Sequence, residues 1–198
     1  MHERRFHGEV EPLRSPERLA RLEVDRVIQR ALQGADIRSV LDVGTGSGVF
    51  AEAFAKAGLD TEGLDASPVM LAAAQRCAPG IRWQAGTAEA LPYGDATFDL
   101  VFMGLLLHET DDRLQALREA ARVARKRVAV LEWPQERQEF GPPQHERLSV
   151  EEVTSLAIQA GLATAEVIRL AALVLYCFNR ATGRRQELEE PKRRSVPP

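Results

Sequence analysis

"SVLDVGTGSGVF", residues Ser39 to Phe50, joins a short apolar strand to the start of a helix through three glycines. Glycine in such a turn supplies a positive φ or lets a ligand approach the backbone closely. The spacing is Gly44, Gly46, Gly48, with Val49 where a G-x-G-x-x-G dinucleotide loop has its third glycine. Asp42 stands two residues before the first glycine. A carboxylate there repels a diphosphate and suits a ligand with a positive group. Asp65 follows 21 residues after Gly44, the distance at which nucleotide-binding folds place an acid on ribose hydroxyls. That position alone does not distinguish one ribose-containing ligand from another.

Outward from this loop, strands and helices alternate. "SPERLARLEVDRVIQRAL" predicts one amphipathic helix, with Ser15 as N-cap and Pro16 at its first position. Strand-like runs follow at "RSVLDV", "DTEGLDAS", "IRWQAG", "ATFDLVFMGLLL" and "KRVAVLEW". Helices lie between them, one opened by Ser67-Pro68 and another capped by Asp111. Ser149 and Glu152 form a capping-box pattern before a further helix, and "ATAEVIRL" and "AALVLYCFNRAT" predict a closing antiparallel pair. The alternation predicts an α/β, Rossmann-like, doubly wound and mostly parallel sheet. Ligands in such folds sit beyond the carboxyl ends of the strands. The expected organisation is one domain over residues 1–185, with a helical cap over 1–33 and a lid loop over 134–148. A charged, proline-rich flexible tail follows over 186–198.

Composition narrows the function classes. The 198 residues are 44% hydrophobic and 28% charged, with a formal charge of −3, so nothing favours a polyanionic partner such as nucleic acid. No apolar run reaches the length of a membrane-spanning helix, the N-terminus lacks the apolar core of a secretory signal, and a cytoplasmic protein is expected. The four histidines and two cysteines show no zinc spacing, so no metal is expected. Cys77 and Cys177 read as core fillers, Asp99 as a structural acid at the start of the fourth strand, and "RKR" (Arg125–Arg127) as solvated surface.

The blocks "VLDVGTGSG", "GLDAS", "AGTAEALPYGDATFDLVFMGLLLHE" and "EW…GPPQHERLSVEE…AG" occur in order between about Ser15 and Ala181. Together they resemble the class I S-adenosylmethionine-dependent methyltransferases, in the small-molecule branch that includes quinone-biosynthesis methylases. The resemblance implies a seven-stranded sheet with an antiparallel last strand, S-adenosylmethionine as cofactor and S-adenosylhomocysteine as product. It further implies that the loop Gly44, Thr45, Gly46 and Gly48 packs beneath the methionine part, with Asp42 holding its amino group through backbone or water. Asp65 takes the ribose diol, and Ala66 and Ser67 follow along the adenosine. The family's G-D-A-x-x-L-P block is here "GTAEALP", so Thr87 replaces the adenine-binding acid, with Ala88 and Glu89 beside it. Gly104 ends the fourth strand next to the site.

For chemistry, His108 is the candidate general base, just past the fourth strand. Phe6, Glu132, Trp133 and His145 are candidate walls of an acceptor pocket, His145 and Arg147 lying in the lid loop. Methyl transfer needs mainly positioning and exclusion of water, which suits a chain without a catalytic triad. The expected partner is a small-molecule acceptor. The rival readings are a nucleic-acid or protein methyltransferase of the same fold and a non-catalytic binding module. A nicotinamide-dependent dehydrogenase is disfavoured by Asp42. Oligomeric state is not legible.

Overall fold

The structure, a computed structural model, describes residues 11–180. Phe6 and the tail over 186–198 lie outside the described residues. Seven strands form one sheet: β1 (Ser39–Val43), β2 (Asp60–Asp65), β3 (Arg82–Ala85), β4 (Phe98–Gly104), β5 (Ala124–Glu132), β6 (Leu162–Arg169) and β7 (Val174–Arg180). Their order is β3-β2-β1-β4-β5-β7-β6. The pairs from β3 across to β5 are parallel, and β7 runs antiparallel to both β5 and β6. This is the doubly wound sheet with a reversed last strand that the sequence predicts.

Period-two alternation divides the core. Leu41, Val43, Val101, Met103, Val128 and Val130 face one layer, with α5 (Arg113–Val123) and α6 (Val150–Gln159). Val40, Leu100, Phe102, Ala129 and Leu131 face the other, with α2 (Val24–Leu32) and α3 (Val49–Lys56). Phe102 anchors this second layer, its ring 4.8 Å from Phe50 and 5.3 Å from Phe54. Because β1 alternates in the same way, Asp42 falls on the α3 face.

The expected first helix is two. α1 (Pro16–Leu22) starts as predicted, with Ser15 Oγ accepting from the Arg18 N–H. It ends at Glu23, whose φ of 47° is left-handed, and α2 begins after it. Glu23 is held in this costly conformation by an ion pair with Arg26 (3.1 Å) and a bond from the Ala171 N–H (3.4 Å). The break leaves α1 over the carboxyl ends of the strands while α2 packs on the sheet.

Several smaller expectations need correction. Asp112, not Asp111, caps α5 by accepting from the Gln115 N–H. Glu152 pairs with Arg113 (2.8 Å), and the Ser149 cap is one-sided. Cys77, at the end of α4 (Pro68–Cys77), is exposed, whereas Cys177 is buried. Arg127 is buried and donates to the carbonyls of Ala31 and Gln33, capping the C-terminus of α2. The surface reading of "RKR" fails there because β5 is covered on both faces from Arg127 to Glu132.

The loop over 134–148 is tightly organised about Arg147, which is 3% exposed. Its guanidinium donates to the carbonyls of Pro142, Glu136 and Phe140 and to Gln138 Oε1. Trp133 packs against Phe140, and Gly141 (φ +85°) lies so close that a Cβ there would be 2.9 Å from the indole. Arg147→Met removes the donor common to these acceptors and strands them. We expect a loss of at least about 2 kcal/mol in unfolding free energy by urea titration; unchanged stability would show that the loop does not depend on Arg147.

Candidate functional site

The glycine loop is shaped by three side chains and one neighbouring strand. Thr45 N–H donates to the Leu64 carbonyl (2.9 Å), and Gly46 N–H to Asp65 Oδ2 (2.8 Å), so the loop is tied to the end of β2. Gly44, Gly46 and Gly48 all have positive φ. Gly44 lies over Leu106, whose side chain would meet an added Cβ at 2.6 Å, and Gly48 over Trp83 at 2.7 Å. Gly46 differs: a Cβ there meets nothing within 4 Å. Two glycines are needed for packing and one faces open space.

Asp42 answers a local requirement. α3 has Gly48 at its N-cap, which offers no side-chain acceptor. Asp42 Oδ2 replaces it, accepting from the Ala51 N–H in the first turn (3.0 Å) and from Thr45 Oγ1 (2.6 Å). Both bonds fall on one oxygen. Burial pushes the Asp42 carboxyl up to about 7, against the two hydrogen bonds, which favour the ionised form; the Asp65 charge adds to the rise.

A cavity opens at the carboxyl ends of β1, β2 and β4. Asp42, Gly44, Thr45 and Gly46 line it from the first loop, and Asp65, Ala66 and Ser67 from the second. Thr87, Ala88 and Glu89 form another wall, beside Gly104. Gly48 is not in the lining. Asp65 accepts one backbone N–H on each oxygen, from Gly46 and from Ser67, both at 2.8 Å. An ionised carboxylate has about four acceptor positions, so it retains capacity for further donors. Leu105, next to Gly104, has a φ of 56°, a strained conformation of the kind found at ligand sites.

Most of the remaining wall was not read from the sequence. Leu13, Arg18 and Leu22 come from the segment leading into and through α1, and Leu106, Glu109 and Thr110 from the turn after β4. Arg14 clamps that N-terminal segment to the glycine loop, donating through two nitrogens to the Ser47 carbonyl (2.8 and 3.1 Å) and pairing with Glu52 (2.8 Å). The apolar stripe of the first helix was legible, but which residues face the site depends on the break at Glu23.

Of the four residues expected to form an acceptor pocket, the three that are described, Glu132, Trp133 and His145, do not line this cavity. Phe6 lies outside the described residues. Trp133 belongs to the core of the 134–148 loop, and His145 is exposed on its surface. Glu132 is fully buried and bound to His108: the His108 N–H donates to Oε1 (3.1 Å), and Nδ1 lies 2.9 Å from Oε2. His108 is itself buried and stands behind the lining, with Nε2 3.7 Å from Glu109 Oε1. The candidate base thus stands with Nδ1 on Glu132, behind the residues that line the cavity. Burial alone lowers the His108 pKa, but the charge and hydrogen bond of Glu132 outweigh it and the net shift is upward.

Residues 41–131 match the family model described as a methyltransferase domain. A demethylmenaquinone methyltransferase of Renibacterium salmoninarum is 38% identical over 100 residues, covering 50% of this chain and 42% of that protein. A malonyl-[acyl-carrier protein] O-methyltransferase of Erwinia billingiae is 40% identical over 86 residues, covering 43% and 34% respectively. The chain therefore spans less than half the length of these relatives. A solved SAM-dependent methyltransferase from Aquifex aeolicus superposes with a TM-score of 0.77 at 25% identity, over 86% of this chain and 96% of that one. No helix among the described residues is long and apolar enough to cross a membrane.

The buried histidine–glutamate pair has a pH signature. With its folded pKa raised above the ordinary 6.5, His108 contributes stability that is complete below that pH and lost as pH rises through the folded value. Glu132→Gln should flatten this decline in urea unfolding measured across about pH 6 to 9. An unaltered pH profile in that variant would show that the pair is not ionic.

Proposed function

We propose that this chain is a class I S-adenosylmethionine-dependent methyltransferase that transfers a methyl group from that cofactor to a small-molecule acceptor in the cytoplasm, a reading supported by the match to the methyltransferase-domain model and by the likeness to named methyltransferases. The observation that carries the proposal is the meeting of Asp42, Asp65 and the glycine loop on one cavity. The residues present fit the cofactor. Gly46 leaves space at the backbone, and the acid-rich lining suits a ligand bearing an ammonium and a sulfonium. Asp65 retains acceptor capacity for a ribose diol.

In this proposal Asp42 orients the amino group, and Asp65 holds the ribose, with Ala66 and Ser67 alongside. Thr87, Ala88 and Glu89 border the adenine, where the Thr87 hydroxyl offers a weaker acceptor than a carboxylate. When bound, S-adenosylmethionine would supply a methyl group already activated by its sulfonium. The chain's own part is positioning and exclusion of water. Leu13 and Leu22 of the cap and Leu105 and Leu106 of the β4 turn provide apolar walls for both. His108 acts as a positioning residue, fixing the β4 turn through Glu132. The named substrates of the two relatives differ, a quinone in one and an acyl-carrier-bound malonyl group in the other, so the proposal extends to the acceptor's class and not its identity.

Asp42 supplies the test. A ligand ammonium favours its ionised form, so binding releases a proton wherever the free carboxyl, at about 7, is still protonated. S-adenosylhomocysteine affinity, measured calorimetrically between about pH 5 and 8, should rise with pH and level above about 7. Asp42→Asn should flatten the profile and bind roughly tenfold more weakly at the upper end. A pH-independent wild type, or a variant that binds equally well, would remove Asp42 from the ligand site.

A further inference from the structure

Between β3 and β4 the chain runs from Gly86 to Thr97 outside helix and strand, and Thr87, Ala88 and Glu89 of this segment are a cavity wall. The Ala90 N–H donates to the Thr87 carbonyl (3.3 Å), closing a tight turn at that wall. One face of a helix holds the backbone that follows. Gln115, Glu119 and Arg122 stand at i, i+4 and i+7 of α5 and so share a side. Gln115 Nε2 donates to the Glu89 carbonyl (3.3 Å). Glu119 Oε2 accepts from the Leu91 N–H (2.9 Å), and Arg122 donates to the Leu91 and Tyr93 carbonyls (3.1 and 2.7 Å). Two bonds of 2.7 Å lock the Arg122 guanidinium on Glu119. Leu91 is thus held at both its N–H and its carbonyl, as a sheet residue is by its neighbour. From the β2 side the Tyr93 hydroxyl donates to Glu62.

We infer that Gln115, Glu119 and Arg122 are positioning residues that fix the wall of Thr87, Ala88 and Glu89 and thereby decide which nucleobase the cavity accepts. The inference rests on the methyltransferase reading, in which this wall borders the adenine. Thr87 and Glu89 both carry acceptors, and the exocyclic amino group of adenine is a donor. A base with an oxo group in its place sets an acceptor against them, and a polar mismatch of this kind discriminates strongly. The discrimination depends on placement, because a hydrogen bond weakens steeply away from its preferred distance and angle. Three side chains on one helix supply that placement to a segment outside the sheet. The same helix starts at Asp112, whose carboxylate accepts from the Gln115 N–H (2.9 Å), directly after the lining residues Thr110 and Asp111. α5 therefore reaches from the β4 turn to the nucleobase wall.

The test titrates S-adenosylhomocysteine and S-inosylhomocysteine calorimetrically into the full chain and into its Gln115→Met, Glu119→Leu and Glu119→Gln variants. The two probes differ at the base, where inosine has an oxo group in place of the adenine amino group. The wild type should prefer the adenine nucleoside by at least about tenfold. Gln115→Met and Glu119→Leu should each narrow that preference by at least about threefold, through weaker binding of S-adenosylhomocysteine. Glu119→Gln keeps an acceptor for the Leu91 N–H and should retain most of the preference. A purely structural role weakens both probes alike and leaves their ratio untouched. That result, or an unchanged ratio in Gln115→Met and in Glu119→Leu, overturns the inference. Should Glu119→Leu fail to fold, Gln115→Met decides alone, since it removes one bond from a half-buried side chain. A wild type that binds both nucleosides equally overturns this inference and leaves the methyltransferase reading standing. A wild type that binds neither overturns that reading and the inference with it.

Discussion

The carboxylate of Asp42 holds β1, the glycine loop and α3 in a single arrangement. The strand's alternation turns it toward α3, whose own N-cap is a glycine, and Thr45 and Ala51 both donate to its Oδ2. Removing the side chain would leave the first turn of α3 without that acceptor and the loop without its internal tie. The arrangement has a cost. Because burial raises the folded pKa to about 7, the native state loses stability relative to the unfolded chain as pH rises from about 4 through that value. The same carboxyl lines the cavity wall.

Around that centre the chain assembles walls of different character. The β1 and β2 ends supply backbone and carboxylates, fixed by bonds from Thr45 to Leu64 and from Gly46 to Asp65. The cap supplies leucines and Arg18, fixed by Arg14 on the Ser47 carbonyl. The turn after β4 is stiffened from behind, where Glu132 accepts from the His108 and Trp133 backbone N–H groups as well as meeting the imidazole. Glu132 and Trp133 thus serve the site from outside it, through the turn and the 134–148 loop respectively.

Much of the frame was legible because it follows from local rules. The central strands are short apolar runs, the glycines sit directly after the first, and Asp42 and Asp65 each fall at or near a strand's carboxyl end. What was not legible depends on tertiary placement. Arg127 reads as solvated surface and Arg147 as part of a lid loop, but both are buried, in β5 and in the loop after it, where each satisfies several carbonyls. Glu23 gives no sequence signal for a left-handed residue, since its support comes from Arg26 and the distant Ala171. Without that break, Arg18 cannot be assigned to the cavity. His108 was placed correctly along the chain, but its direction is set by Glu132, a partner 24 residues away.

The central claim is that the loop and its two acids select a nucleoside carrying a positive group over a dinucleotide diphosphate. Parallel calorimetric titrations of the full chain with S-adenosylhomocysteine and with NAD test it most directly. The account predicts saturable one-site binding of S-adenosylhomocysteine and affinity for NAD at least a hundredfold weaker, since Asp42 opposes the diphosphate. Comparable or tighter binding of NAD would contradict it.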